Sequence, residues 1–158
     1  MRITSALVLV AFLAIAFGVA ALGSLTTIQN VDGWYATAEK ASWSPPNGIF
    51  GPVWTLLYTL IAVSGWLVWR EITRVPPIYI VQLGLNALWT PVFFGAYPLI
   101  GSPALWIALV IIVAIDVTVL LTMMRFWKVS KLAAWLLVPY WAWVLFATTL
   151  NAAVAILN

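Results

Sequence analysis

Apolar positions dominate the chain in four stretches that no acidic or basic side chain interrupts: 3–31, 41–69, 75–115 and 132–158. A bilayer core of about 30 Å takes roughly 20 apolar helical residues. The four gaps therefore hold one, one, nearly two and one membrane spans. Turn signals divide them further. Pro76-Pro77 follow Arg70, Glu71 and Arg74, while Pro98 and Gly101 mark a short turn inside the longest gap. The pattern predicts an all-α membrane protein, a five-transmembrane-helix bundle in one domain over 1–158, with helices at about 3–25, 48–69, 77–94, 104–124 and 132–157. The first run is longer than the 7–15 apolar residues of a signal peptide, so it is read as a retained span. Pro91 and Pro139 fall inside the third and fifth helices, where they are expected to bend them.

With five spans, the N-terminus and the second and fourth loops share one side. That side carries Arg2, Arg70, Arg74, Arg125, Lys128 and Lys131, against Lys40 alone on the other. The bias follows the positive-inside rule. It predicts a multi-pass protein of the cell (cytoplasmic) membrane, N-terminus in the cytoplasm, first loop and C-terminus outside.

Composition agrees with this picture. Of 158 residues 65% are hydrophobic and 7% charged, with mean hydropathy +1.10, whereas a soluble domain keeps roughly 25% charged residues. The bilayer must be the main partner. Cysteine and histidine are both absent, which removes disulfides, zinc sites, the usual haem ligands and the common neutral-pH base. No metal site and no required cofactor are expected. The net charge of +3 is explained by topology, and no basic stripe for nucleic acid is visible.

Periodicity picks out helix faces that are not ordinary lipid contacts. Gln82, Asn86, Trp89 and Phe93 fall on one stripe of the third helix, and Tyr140, Trp143, Ala147 and Asn151 form a similar stripe on the fifth. The second offers Trp54 and Tyr58 one turn apart, beside Thr55. Amides in hydrocarbon need partners, so Asn86 and Asn151 should face the bundle. Two readings are open: the amides act as interhelical glue, or Trp54, Tyr58, Trp89 and Trp143 line one cavity with the amides at its edge. Stiff, broad aromatic rings suit a flat polycyclic ligand. Trp66, Trp69, Trp106, Trp127 and Trp135 lie near span ends, where tryptophan belts collect. Asp116, the one acid inside a span, is a functional candidate by its position, for instance as the proton or ion group of a transporter or channel. It is expected to be protonated or to reach a water-filled cavity. No catalytic constellation is visible.

The ordered residues carry a resemblance. Trp34-Tyr35, Lys40-x-x-Trp43-x-Pro45-Pro46 and Phe50-Gly51-Pro52-Val53-Trp54-Thr55-x-x-Tyr58 resemble the TspO/MBR family of translocator proteins and peripheral-type benzodiazepine receptors. So do Gln82-Leu83-x-Leu85-Asn86-x-x-Trp89-x-Pro91-x-Phe93-Phe94-Gly95 and Pro139-Tyr140-x-Ala142-Trp143-x-x-Phe146-Ala147-Thr148-Thr149-Leu150-Asn151. The resemblance implies a bacterial-type five-helix protein, commonly a homodimer. It implies binding of tetrapyrroles such as protoporphyrin IX, in a role in transport or stress sensing. By motif position the ligand site takes Gly23, Trp54, Tyr58, Asn86, Trp89, Trp143, Ala147, Leu150 and Asn151, under a first loop with Trp34, Tyr35, Lys40, Trp43 and Gly48 at the mouth. Light-dependent porphyrin breakdown, reported for some members, would make Trp54 and Trp143 the candidate reactive residues. The chain departs from the family pattern at Ala41, where proline is usual, at Asn47-Gly48, which usually ends in tryptophan, and at Ala96-Tyr97. It also lacks the sterol motif after Asn151. A wider mouth and no sterol binding are the expectations.

Overall fold

The computed structural model describes residues 3–158, with side chains from Thr4 onward. Arg2, counted in the charge bias, lies outside the described residues. The chain is an all-α bundle with five helices long and apolar enough to cross a membrane. The first span is α1 (Ile3–Val31). A short α2 (Trp34–Thr37) and a 3₁₀ turn at Asn47–Ile49 belong to the first loop, and α3 (Phe50–Ile72) is the second span. The third span is α4 (Pro77–Thr90), prolonged by a π turn over Pro91–Gly95; α5 (Tyr97–Ile100) is a single turn. The fourth is α6 (Ser102–Trp127), and α7 (Lys131–Leu136) with α8 (Val138–Leu157) makes the fifth.

Several helices outrun their expected ends, each for a local reason. Thr26 and Thr27 hydroxyls donate to the Leu22 and Gly23 carbonyls, and Asn30 Nδ2 donates to the Thr26 carbonyl. These polar side chains are satisfied by their own helix, so α1 continues past Leu25 to Val31. The third span continues past Pro91 by widening: Ala96 N–H donates to Pro91 O at 3.1 Å, the i+5 spacing of a π turn. In the fifth span the interruption falls at Leu137, two residues before Pro139, where Leu137 N–H turns back to Ala134 O.

The spans close into a ring in the order α3, α1, α4, α6, α8, with α7 returning to α3. The outside is apolar: Leu7, Val10, Leu22 and Leu25 on α1 and Val110, Val117 and Met124 on α6 are exposed. Trp106, Trp127 and Trp135 are also exposed near span ends, as an interfacial belt requires. The interior is dense at the end carrying the basic loops. There Tyr79 stacks on Phe126 at 5.6 Å, and Ser64 Oγ donates to Ala133 O at 2.7 Å. Gly65 makes this packing possible, because a Cβ there would lie 2.6 Å from the Tyr79 ring and 2.8 Å from Phe12. At the opposite end the helices leave a void.

Candidate functional site

That void is a cavity of about 550 Å³ between the C-terminal half of α1, the start of α3, the end of the third span and α8. Four aromatic rings form its inner wall. Trp54 lies 5.4 Å from Tyr58 and 6.5 Å from Trp89, and Trp89 lies 5.7 Å from Phe93, with interplanar angles of 30–37°. Helical spacing puts Trp54 and Tyr58 one turn apart on α3; the widened turn after Thr90 carries Phe93 and Phe94 onto the wall beside Trp89. A π turn of this kind is a frequent companion of functional sites.

Hydrogen bonds fix the rings. Trp89 Nε1 donates to Asn151 Oδ1 at 3.0 Å, and Asn151 Nδ2 donates to Leu105 O at 3.0 Å. Tyr58 Oη donates to Asn86 Oδ1, Asn86 Nδ2 to Tyr140 Oη, and Tyr140 Oη to Gln82 Oε1, each at 2.8 Å. The last group of this chain, Gln82 Nε2, has no partner. The two alternatives left open by the sequence thus divide between the amides. Asn86 is interhelical glue behind Tyr58 and does not reach the wall, whereas Asn151 both braces Trp89 and lines the cavity.

Of the anticipated residues, Gly23, Trp54, Tyr58, Trp89, Ala147, Leu150 and Asn151 line one chamber. Trp143 does not. It packs edge-on against Phe50 at 5.8 Å and beside Phe146 at 5.5 Å, with its Nε1 buried and unpartnered. Phe50, which does line the cavity, stands where Trp143 was expected. Asp116 is likewise off the wall: its Oδ2 accepts from the Thr148 hydroxyl at 2.7 Å on the α6–α8 contact, and its Oδ1 has no partner.

At the mouth, Tyr35 and Gly48 line the cavity, and Trp34, Lys40 and Trp43 do not. Those three hold the first loop in place instead. Trp34 Nε1 donates to Phe94 O at 2.9 Å and its ring stacks on Tyr97 at 3.9 Å. Trp43 Nε1 donates to Thr149 Oγ1 at 3.2 Å, and Lys40 Nζ sits 4.7 Å over the Tyr35 ring. Burial pushes the Tyr35 phenol above its ordinary range. The loop is further tied to the end of α8, where Asn158 donates to Glu39 O at 3.0 Å and accepts from Glu39 N–H at 3.1 Å.

The outer wall was missed by the sequence reading, apart from Gly23. It consists of Ala20, Ser24, Thr27, Ile28 and Val31 on α1. A signal was present: Ala20, Ser24, Thr27 and Val31 recur at i, i+4, i+7 and i+11, one helical face of smaller and more polar residues. Among the described residues no cluster of His, Cys, Asp or Glu could hold a metal ion.

Residues 10–157 match the TspO/MBR family. The tryptophan-rich protein TspO of Archaeoglobus fulgidus is 44% identical over 155 residues, covering 95% of this chain and 94% of its own. The human translocator protein is 42% identical over 125 residues, covering 75% and 70%. Protein CrtK of Rhodobacter capsulatus is 34% identical over 145 residues, covering 88% and 87%. A family match across nearly the whole length, joined to five spans around an aromatic chamber, shows that this multi-pass membrane protein belongs to the TspO/MBR family.

Proposed function

We propose that the protein is a membrane receptor for flat, largely apolar ligands of the tetrapyrrole class, protoporphyrin IX among them. The observation that carries this reading is the cavity: about 550 Å³, walled by Trp54, Tyr58, Trp89 and Phe93. That volume is in the range of small-molecule sites, which are mostly apolar with a few placed polar groups. Without histidine or cysteine, affinity rests on ring stacking and apolar burial. The 3₁₀ turn at Asn47–Ile49 opens α3 without a side-chain cap, and a propionate-type carboxylate suits the Asn47 and Gly48 N–H groups at its start. The basic end of the bundle lies in the cytoplasm on this reading, and the cavity opens towards the outer side of the cell membrane. Gly18 and Gly84 leave open surface on α1 and α4, where an added Cβ meets nothing within 4 Å; a homodimer contact fits either face.

Tryptophan-fluorescence quenching by protoporphyrin IX in the purified protein tests the proposal. Trp54→Leu and Trp89→Leu should each weaken binding at least tenfold, while Trp143→Phe should bind as wild type does. Equal affinity in all four proteins would overturn it.

A second reading, light-driven porphyrin breakdown, is favoured by the one reactive candidate that stands in the wall, Trp54. Illumination of the complex with absorbance detection decides it. Loss of porphyrin absorbance that stops in Trp54→Phe supports breakdown; an unchanged spectrum of bound ligand rules it out.

A further inference from the structure

A second concavity lies on the outer surface at the opposite end of the bundle, in the hairpin between α6 and α7–α8. It is a groove of about 390 Å³ with a wholly apolar lining, including Leu120, Met123, Met124, Trp127, Trp135 and Val138. It shares no residue with the aromatic cavity. Trp127 and Trp135 meet edge-to-face at 6.2 Å, both exposed, which sets this end of the groove at the membrane–water boundary. Directly beyond them the charge changes character. Lys128 continues the i, i+4 row of Leu120 and Met124, Lys131 Nζ rides 5.7 Å from the Trp127 ring, and Arg125 begins the same turn. All three cations are exposed, and no acidic residue follows Asp116 in the chain.

We infer that this groove holds one acyl chain of an anionic phospholipid, whose headgroup is bound by Lys128 and Lys131. The occupant must be apolar along the bilayer depth and negatively charged at the boundary. A lipid with net negative charge meets both demands in one molecule. Basic pockets between transmembrane helices are a known form of headgroup site, and each cation near the membrane surface adds to the attraction. Met123 and Met124 suit a flexible chain, because their side chains adapt to an irregular partner. A zwitterionic lipid fills the same groove, but its own ammonium group offsets the attraction of the lysines.

Native mass spectrometry of delipidated protein, titrated with phosphatidylglycerol or phosphatidylcholine of identical acyl chains, provides the test. Wild type should retain phosphatidylglycerol on the order of tenfold better. The preference should vanish in the Lys128→Ala/Lys131→Ala variant, and Met124→Trp, which fills the groove, should lower retention of both lipids. All the altered side chains are exposed, and unchanged protoporphyrin IX quenching verifies that each variant is folded. Equal retention of the two lipids by wild type would overturn the inference, as would a preference that survives both variants. Self-association abolished by Met124→Trp would also overturn it, by placing a second copy of the chain in the groove.

Discussion

Trp89 Nε1 donates to Asn151 Oδ1 at 3.0 Å, so an aromatic wall residue of the third span is aimed by an amide on the fifth. The same amide donates to Leu105 O on the fourth. One side chain therefore joins three spans and sets the angle of a ligand-facing ring. Asn151→Leu removes both bonds and leaves the Trp89 N–H without its partner. The expected cost is about 1–3 kcal/mol, seen as a lower midpoint in thermal melts in detergent. Protoporphyrin IX affinity should fall as well, because Trp89 is no longer held. A melt and an affinity that both match wild type would show that Trp89 is placed by packing alone.

The span count was legible because the charges are sparse and ordered: the gaps between them hold one, one, nearly two and one bilayer crossings. The inner wall was legible in part. Periodicity reports the direction in which a residue faces, and it found Trp54, Tyr58 and Trp89. It does not report depth behind a neighbour, which is why Trp143 was expected in a wall that Phe50 occupies; Asn86, which the family pattern puts in the lining, stands behind Tyr58. The widened turn at Pro91–Gly95 was hidden for another reason. A proline within a span signals a disturbed helix, but whether the disturbance is a bend or an added residue depends on what packs around it. Thr26 against Gly95 and Thr90 against Gly23 are tertiary contacts of this kind.

Tyr58→Phe separates ring from hydroxyl. The substitution keeps the aromatic face in the cavity and removes the proton that Asn86 Oδ1 accepts at 2.8 Å. Asn86 retains its bond to Tyr140, so the loss is one buried hydrogen bond, about 1–2 kcal/mol. Thermal stability should drop by that amount while porphyrin quenching stays within a factor of two. A large loss of affinity at unchanged stability would mean that the ligand itself bonds to the hydroxyl.

Gly65→Ala should be among the most damaging methyl additions in the chain. Its Cβ would lie 2.6 Å from the Tyr79 ring, and that ring is pinned by its own donation to Ile61 O at 3.1 Å and by stacking on Phe126. Overpacking of this sort costs about 1–3 kcal/mol. Gly84→Ala is the control: a Cβ there meets nothing within 4 Å, and replacing glycine within a helix is favourable by roughly 0.5–1 kcal/mol. Thermal melts of the two variants should move in opposite directions. Parallel behaviour would show that the α1–α3–α4 contact is looser than its geometry indicates.

Gly48→Trp tests the mouth. Gly48 lines the cavity at its exposed rim, and a Cβ there meets no atom within 4 Å, so the backbone at this position accepts a side chain. The new indole would stand over a cavity whose inner wall is already Trp54 and Trp89. It would cover a bound ring on the side now left open, and it would narrow the way in. Stacking on one more aromatic surface contributes roughly 0.5–1.5 kcal/mol, a gain of about two- to tenfold in protoporphyrin IX affinity. Stopped-flow quenching should show this gain mainly as slower release, with association also slowed by the narrower opening. Release as fast as in wild type would mean that the added ring does not reach the ligand, and that Gly48 marks the edge of the chamber rather than its mouth.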